Sequence, residues 1–588
     1  MSKVKKPAAA RTGKKATATK KQSVDSVAVD TKADKNVDIS QVPESQPKWY
    51  ETYARKAGRV IAVSSLPEIF MVSTYIMARW IKNSDFSYPS EMILAIVMFA
   101  VLVSIVFYGY KFIFRGRLLP AHISALLLSY GLYGFSYSFP RFHGWGEAIL
   151  PSNLTEFTST ILMVIFLALL FGVIGFAVDL LKRKVRPLRT VPLLKVGLFA
   201  VCFIFAVQVI KVGSRLWTIR HDLTYHAPSL QVGKADAAKA DGTKAIGHKP
   251  NVYYLLFDRY ANDTTLKNVY DYDNTPFLDF LSGQGFVNRK DAYSNYPFTM
   301  QSISSTVSMA YHTELGKQFR NDSKDFQTSY PYRTLISEPP VAEVLKQNGY
   351  QYNQVSSWWD FTRNVPAADT EPSESFRLRV MGKNFWLTDL QRDIQNKSVF
   401  GPLLRKGMTF GHTAVIKYQL DRNPQENFYA QMDALKQIAR GSSKQDKPQF
   451  TFAHVLSPHD PYVFDANGNK PWYNGDRTDW DVDETVKYTN QVHYINTQIQ
   501  PTIETIRQQD PTAVIVVQAD EGPYPKEFRG ELTPDHYYDP INLQLPQQRQ
   551  KFGVLASYYM PGVDKETVAK ELDSSVNAFR FVLNHYLG

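Results

Sequence analysis

Asn251-Val252-Tyr253-Tyr254-Leu255-Leu256-Phe257-Asp258 is the stretch on which the fold turns. Its apolar and aromatic run is too short for an ordinary helix and reads as a strand buried on both faces. The acid that ends it stands where open α/β sheets bind ligands, just outside the carboxyl ends of the strands. Similar runs lie at 450–456, 513–519 and 553–560, with helical patterns near 300–310, 340–348, 426–440, 483–508 and 565–585. Strands alternating with helices predict an α/β domain over 251–588, its sheet covered on both faces.

Upstream the pattern changes. A helix needs about 20 apolar residues to cross a bilayer, and such runs occur near 60–81, 91–110, 118–139, 159–180 and 192–212. Residues 92–109 and 161–178 carry no charge at all. These runs predict a five-helix transmembrane module over 60–213. Lys and Arg in short loops mark the cytoplasmic side. Lys111, Arg115 and Arg117 lie between the second and third runs, and Lys182, Arg183, Lys184, Arg186 and Arg189 between the fourth and fifth. Five crossings that start inside put the C-terminal domain on the extracytoplasmic face.

Residues 1–59 precede the first helix, and the first acid, Asp25, comes only after eight basic side chains. With no aromatic residue before Trp49, this segment reads as a disordered cytoplasmic tail. Residues 214–250 read as a linker, with a flexible spacer of Gly, Lys, Ala, Asp and Thr over 233–250.

The chain has 588 residues and a formal charge of +12. That charge does not mark a nucleic-acid binder: residues 1–59 contribute +8, 60–213 contribute +7, and 214–588 contribute −3. The large domain is slightly acidic and a poor partner for a phosphate backbone. A single cysteine, Cys202, excludes an intramolecular disulfide framework and a multi-cysteine zinc site. Mean hydropathy of −0.28 averages a membrane module with a polar domain.

Chemistry is expected at the strand ends. Asp258 follows the first strand, and Asp520-Glu521-Gly522-Pro523 follows the run at 513–519. Ser457-Pro458-His459-Asp460-Pro461 follows the run at 450–456, which contains His454. Three carboxylates at one sheet edge repel one another unless a cation sits between them. The alternative is that each acid caps a helix or faces solvent. Thr299, within Ser294-Asn295-Tyr296-Pro297-Phe298-Thr299-Met300-Gln301-Ser302, opens a helix. There it is either an N-cap or a hydroxyl placed where free N–H groups favour a phosphate or sulfate.

Together these features resemble the sulfatase-like branch of the alkaline phosphatase superfamily: an acid after the first strand, a Thr opening a helix about 40 residues on, a Pro-His turn, and an acid-x-Gly-Pro after a late strand. The stretch Lys551-Phe552-Gly553-Val554-Leu555-Ala556-Ser557-Tyr558-Tyr559-Met560-Pro561-Gly562 adds to the likeness. The membrane module is similar to that of lipoteichoic acid synthases and phosphoethanolamine transferases. The resemblance implies an α/β doubly wound domain in which Asp258, Asp520 and Glu521 ligate a metal and Thr299 is both ligand and nucleophile. It makes His459 a catalytic residue, and His454 and His536 substrate contacts. Trp358-Trp359-Asp360-Phe361-Thr362-Arg363 resembles the Trp and Arg that hold the phosphate in lipoteichoic acid synthases, which makes Arg363 a further substrate contact.

Two departures qualify the resemblance. The family commonly has Asp-His where this chain has Asp520-Glu521. An all-oxygen set of Asp258, Thr299, Asp520 and Glu521 favours Mn²⁺, Mg²⁺ or Ca²⁺ over Zn²⁺, or else metal binding has been lost. The sulfatase signature Cys/Ser-x-Pro-x-Arg is replaced by Thr299-Met300-Gln301-Ser302-Ile303, which disfavours sulfate-ester hydrolysis through formylglycine. The expected function is transfer of a phospho-head-group from a membrane phospholipid to an envelope glycan or glycerol acceptor, or to water, with one divalent metal ion. The competing expectation is a catalytically silent sensor or scaffold of the cell envelope.

Overall fold

The computed structural model describes residues 64–85, 87–133, 156–184, 190–228, 241–313, 329–363, 365–371, 390, 394, 409–410, 413–414, 424–469, 484–525 and 543–588. The tail 1–59 and His536 lie outside them.

Five helices occupy the expected apolar stretches: α1 (Leu66–Asn83), α2 (Pro89–Ile113), α3 (Leu118–Tyr133), α4 (Glu156–Lys184) and α5 (Thr190–Leu223). Three of these contain apolar spans long enough to cross a membrane, at Pro89–Ile113, Ile161–Lys184 and Phe199–Leu223. The described apolar part of α3, Leu118–Leu132, is shorter. Helix α1 carries Glu68, Arg79 and Lys82 within its 18 residues, so its composition alone does not mark it as a span. Five helices thus occupy the five expected stretches, and among the described residues three of them qualify as spans by length and apolarity.

The two ends of this bundle differ. At one end Asp179 of α4 pairs with Arg117 at 2.8 Å and with Arg183 at 2.9 Å, which joins the basic α2–α3 loop to the basic end of α4. At the other end Asp85, just after α1, pairs with Arg215 of α5 at 2.5 Å. The C-terminal domain sits at this second end: the Ser329 N–H donates to Asp85 O at 2.7 Å, and the Tyr330 hydroxyl donates to Ser87 O.

The domain is built on a six-stranded sheet: β1 (Val252–Phe257), β2 (Val287–Asn288), β3 (Gln351–Val355), β4 (Gln449–Val455), β5 (Val514–Ala519) and β6 (Ala556–Tyr559), in the order β2-β6-β5-β1-β4-β3. Strands β3, β4, β1 and β5 run parallel, β6 pairs antiparallel with β5, and β2 pairs antiparallel with β6 and so runs in the direction of the other four. The sheet is therefore mixed. Helix α6 (Asp241–Ile246) precedes it, then α7 (Asp263–Tyr270), α8 (Thr275–Gly283), α9 (Thr299–Ser308), α10 (Tyr330–Ser337), α11 (Pro340–Gln347), α12 (Pro424–Gly441), α13 (Glu484–Gln509), α14 (Leu545–Phe552), α15 (Lys565–Glu571) and α16 (Asn577–Tyr586).

Alternation along β1 feeds two cores. Tyr253, Leu255 and Phe257 pack with Leu266, Phe277, Phe428, Leu435, Val492 and Ile495. Val252, Tyr254 and Leu256 pack with Ile303, Val307, Val344, Phe579 and Val582. Every β1 residue is buried, so the strand reads as a continuous apolar run. The expected linker is partly built: α5 runs on to Leu223, and α6 docks on α16 through a 2.6 Å bond from the Thr243 hydroxyl to Tyr586 O. The single helix expected over 565–585 is two, broken at Leu572–Val576.

Candidate active site

Strand register decides which side chains meet. Leu256 lies opposite His454 and Gln518, and Phe257 opposite Val455 and Ala519. Side chains alternate between faces, so Asp258, His454 and Asp520 share one parity at the carboxyl edge and Glu521 has the other. All three are buried, and ligand atoms, one from each, lie within 4.8 Å of one another. His454 Nε2 is 3.8 Å from Asp258 Oδ2.

Asp258 Oδ1, His454 Nε2 and Asp520 Oδ2 are buried, and none has a hydrogen-bond partner among the described residues. A buried polar atom left unpaired costs about 1–3 kcal/mol, so three of them in one cluster fit a cation site. The His454 ring is held from behind, its Nδ1 3.0 Å from Thr362 Oγ1, which in turn lies 2.8 Å from Ser357 Oγ. A proton on Nδ1 given to Thr362 leaves the Nε2 lone pair free, as a ligating imidazole requires. Trp359 packs against the same ring, edge to face, at 5.4 Å.

The electrostatics agree. Burial, then the charge of Asp520, pushes the Asp258 carboxyl well above the usual range. Burial, then Glu521, raises Asp520 to about 6, opposed by hydrogen bonds from the Thr299 side chain and the Arg259 N–H. Burial takes His454 down to about 3, so it is neutral. Crowded, poorly balanced carboxylates beside a neutral imidazole favour a bound cation.

Thr299 is the first residue of α9. The cap position belongs to Phe298, whose side chain makes no capping bond, so the N-cap reading of Thr299 does not hold. The hydroxyl lies beside Asp520 instead.

Glu521, expected as a ligand, has one oxygen engaged by cations and the other, Oε2, buried with no hydrogen-bond partner among the described residues. Its Oε1 is 2.8 Å from Arg259 Nε and 3.0 Å from Lys551 Nζ. Burial pushes this carboxyl up, yet Lys551 and Arg259 together hold it below the ordinary value. The three-residue cluster contains His454 in its place. Two carboxylates and an imidazole are not an all-oxygen set, which removes the premise for preferring Mn²⁺, Mg²⁺ or Ca²⁺ over Zn²⁺.

The His459 N–H donates to Asp258 O at 3.1 Å, and its ring Nδ1 lies 3.2 Å from Asp460 Oδ1. Burial, then Arg259, lowers this imidazole to about 4. Arg363, expected to grip substrate, is buried and paired with Asp360, and donates to Trp358 O at 3.3 Å. Gly522 makes the close approach expected of it: its N–H donates to Lys551 O at 2.7 Å, and a Cβ there would stand 2.1 Å from Gln550 O.

The reading of the sequence missed Arg259 and Lys551. Arg259 adjoins Asp258 and has a left-handed backbone with φ 60°, rare for a residue with a side chain. Lys551 is wholly buried, and burial pulls its ammonium down to about 8 against the opposing charge of Glu521. The one available signal was a lysine two residues before the apolar run 553–560.

Residues 250–586 match the sulfatase family model. No curated protein matches the chain. Among solved structures, the lipooligosaccharide phosphoethanolamine transferase A (EptA) of Neisseria meningitidis aligns over 90% of this chain and 95% of its own, with 12% identity and a TM-score of 0.38. The C-terminal periplasmic domain of EptC from Escherichia coli aligns over 61% of this chain and 86% of its own, with 12% identity and a TM-score of 0.37. The lipoteichoic acid synthase LtaP of Listeria monocytogenes aligns over 63% and 77%, with 12% identity and a TM-score of 0.33. With more than half of its length covered by the family model and the acids and histidines of its strand ends brought to one sheet edge, the chain belongs to the sulfatase family.

Proposed function

We propose that this chain is a membrane-anchored, metal-dependent transferase or hydrolase in which Thr299 displaces a phospho-head-group from a lipid. The observation that carries the reading is the buried trio Asp258, His454 and Asp520, with its partnerless ligand atoms, next to the Thr299 hydroxyl. A divalent cation held by that trio would lower the pKa of an adjacent hydroxyl and offset charge on a phosphate oxygen. Thr299 Oγ forms a bond to phosphorus as the bond from phosphorus to the lipid alcohol breaks. His459, neutral at pH 7, takes the hydroxyl proton and returns it to the departing alkoxide. A hydroxyl of an envelope glycan or glycerol, or water, then attacks the phosphothreonine and regenerates Thr299. The absence of a cysteine or serine at position 299 favours this chemistry over formylglycine-dependent sulfate hydrolysis.

In this reading the catalytic domain faces the outside of the cell membrane. It docks at the bundle end opposite Arg117 and Arg183, whose neighbours are the most basic loops. Replacing Cys202 and introducing His248→Cys gives a single exposed thiol. An impermeant maleimide added to intact cells should label it; labelling only after lysis would reverse the topology.

Mass spectrometry after incubation with labelled phospholipids tests the reaction. A head-group phosphate on Thr299, absent in Thr299→Ala, is the expected result. An adduct on another residue would overturn the nucleophile.

A further inference from the structure

We infer that Arg259 receives the oxyanion of the substrate's phosphoryl group, a role that rests on the phosphoryl-transfer reading above. The residue is unusually well held. Its backbone stays in the left-handed region because its N–H donates to Asp520 Oδ1 at 3.1 Å and its carbonyl accepts from the Tyr488 hydroxyl at 2.8 Å. A strained residue so tied down beside a ligand cluster is the usual mark of a functional position.

Its guanidinium is equally fixed. Nε donates to Glu521 Oε1 at 2.8 Å, Nη1 donates to Asp460 Oδ1 at 3.0 Å, and the plane lies 4.2 Å over the Tyr524 ring. Nη2 makes no hydrogen bond among the described residues. The side chain is 17% exposed, whereas Lys551, the other cation of the group, is sealed at 0%. Lys551 therefore serves Glu521 from inside, and Arg259 is the more accessible cation of the two. Its charge is felt by both Asp258 and His459, so it stands within the field of the site.

Charge balance assigns the same roles. With all four carboxylates ionised, as a bound cation would keep them, Asp258, Asp460, Asp520 and Glu521 bring four negative charges against two positive ones from Arg259 and Lys551. The excess of two sits on the pair of carboxylates in the ligand cluster and matches one divalent ion. Glu521 and Asp460 are then the clamp that aims Arg259, and the remaining Nη2 donors of a fixed guanidinium suit a phosphoryl oxygen.

The test uses the purified full-length chain, with divalent metal content and inorganic phosphate affinity measured on the same samples. Arg259→Gln should keep the metal and weaken phosphate binding about 10- to 100-fold, the effect of one charge-assisted hydrogen bond. Arg259→Lys should recover part of the loss. If Arg259→Gln does not fold, Asp460→Ala decides, since it removes the acceptor that fixes Nη1 and keeps the cation: changed phosphate affinity at unchanged metal content supports the role, and unchanged affinity overturns it. Equal phosphate affinity in wild type and Arg259→Gln overturns this assignment alone. A wild-type chain that binds metal but no phosphate overturns the phosphoryl-transfer reading along with it.

Discussion

His454 Nε2 lies 3.8 Å from Asp258 Oδ2, one imidazole and one carboxylate from paired parallel strands, both buried. The strand pairing that brings them together is set by apolar residues with no chemistry of their own. Thr362 orients the ring from behind. Thr362→Val should therefore lower metal affinity about 10- to 100-fold, the usual cost of losing an outer hydrogen bond, with the fold intact. His454→Ala should lower it further. Calorimetric titration of the metal-free protein with a divalent ion measures both, and an affinity unchanged in Thr362→Val would mean that His454 is no ligand.

Much of this was readable beforehand. The run Val252–Phe257, the apolar helices and the acids after strands β1 and β5 follow from local pattern, and the structure has them where expected. What local pattern does not carry is register. Asp520 and Glu521 look equivalent in sequence, but alternation sends them to opposite faces, and only the pairing of Leu256 with both His454 and Gln518 reveals that His454 shares a side with the two aspartates. Lys551 was illegible for a similar reason: its role depends on a carboxylate 30 positions earlier, brought close by the contact at Gly522.

The Glu521–Lys551 pair is wholly buried, and removing Lys551 leaves Glu521 with Arg259 as its one remaining cation among the described residues. Lys551→Met should destabilise the domain by about 3 kcal/mol, and Glu521→Gln in the same chain should restore much of that. Urea denaturation of the single and double variants measures the coupling. Additive losses would show that the two groups stabilise independently.

Gly522 tests the close approach behind Asp520 and Glu521. Gly522→Ala would place a methyl group 2.1 Å from Gln550 O and should cost at least about 1–3 kcal/mol, with loss of bound metal as the strand end shifts. Full stability and full metal content in this variant would be incompatible with the backbone contact.

His312 contributes to acid stability in a defined direction, as do the lowered imidazoles of His454 and His459. Burial lowers its imidazole to about 4, against an unfolded value of 6.5. Between those values the unfolded chain binds a proton that the folded chain does not, so this stabilisation is present above pH 6.5 and lost as pH falls towards 4, by up to about 1.4 kcal/mol per pH unit. His312→Gln should flatten the fall in stability over that window. Equal slopes in wild type and variant would show that His312 is not the group responsible.

The central claim is that Asp258, His454 and Asp520 hold a divalent cation. Elemental analysis of the purified full-length protein by plasma mass spectrometry addresses it most directly. The expected result is one divalent ion per chain, lost in Asp520→Ala and retained in Glu521→Gln. A folded protein that carries no ion under any divalent supply would contradict it.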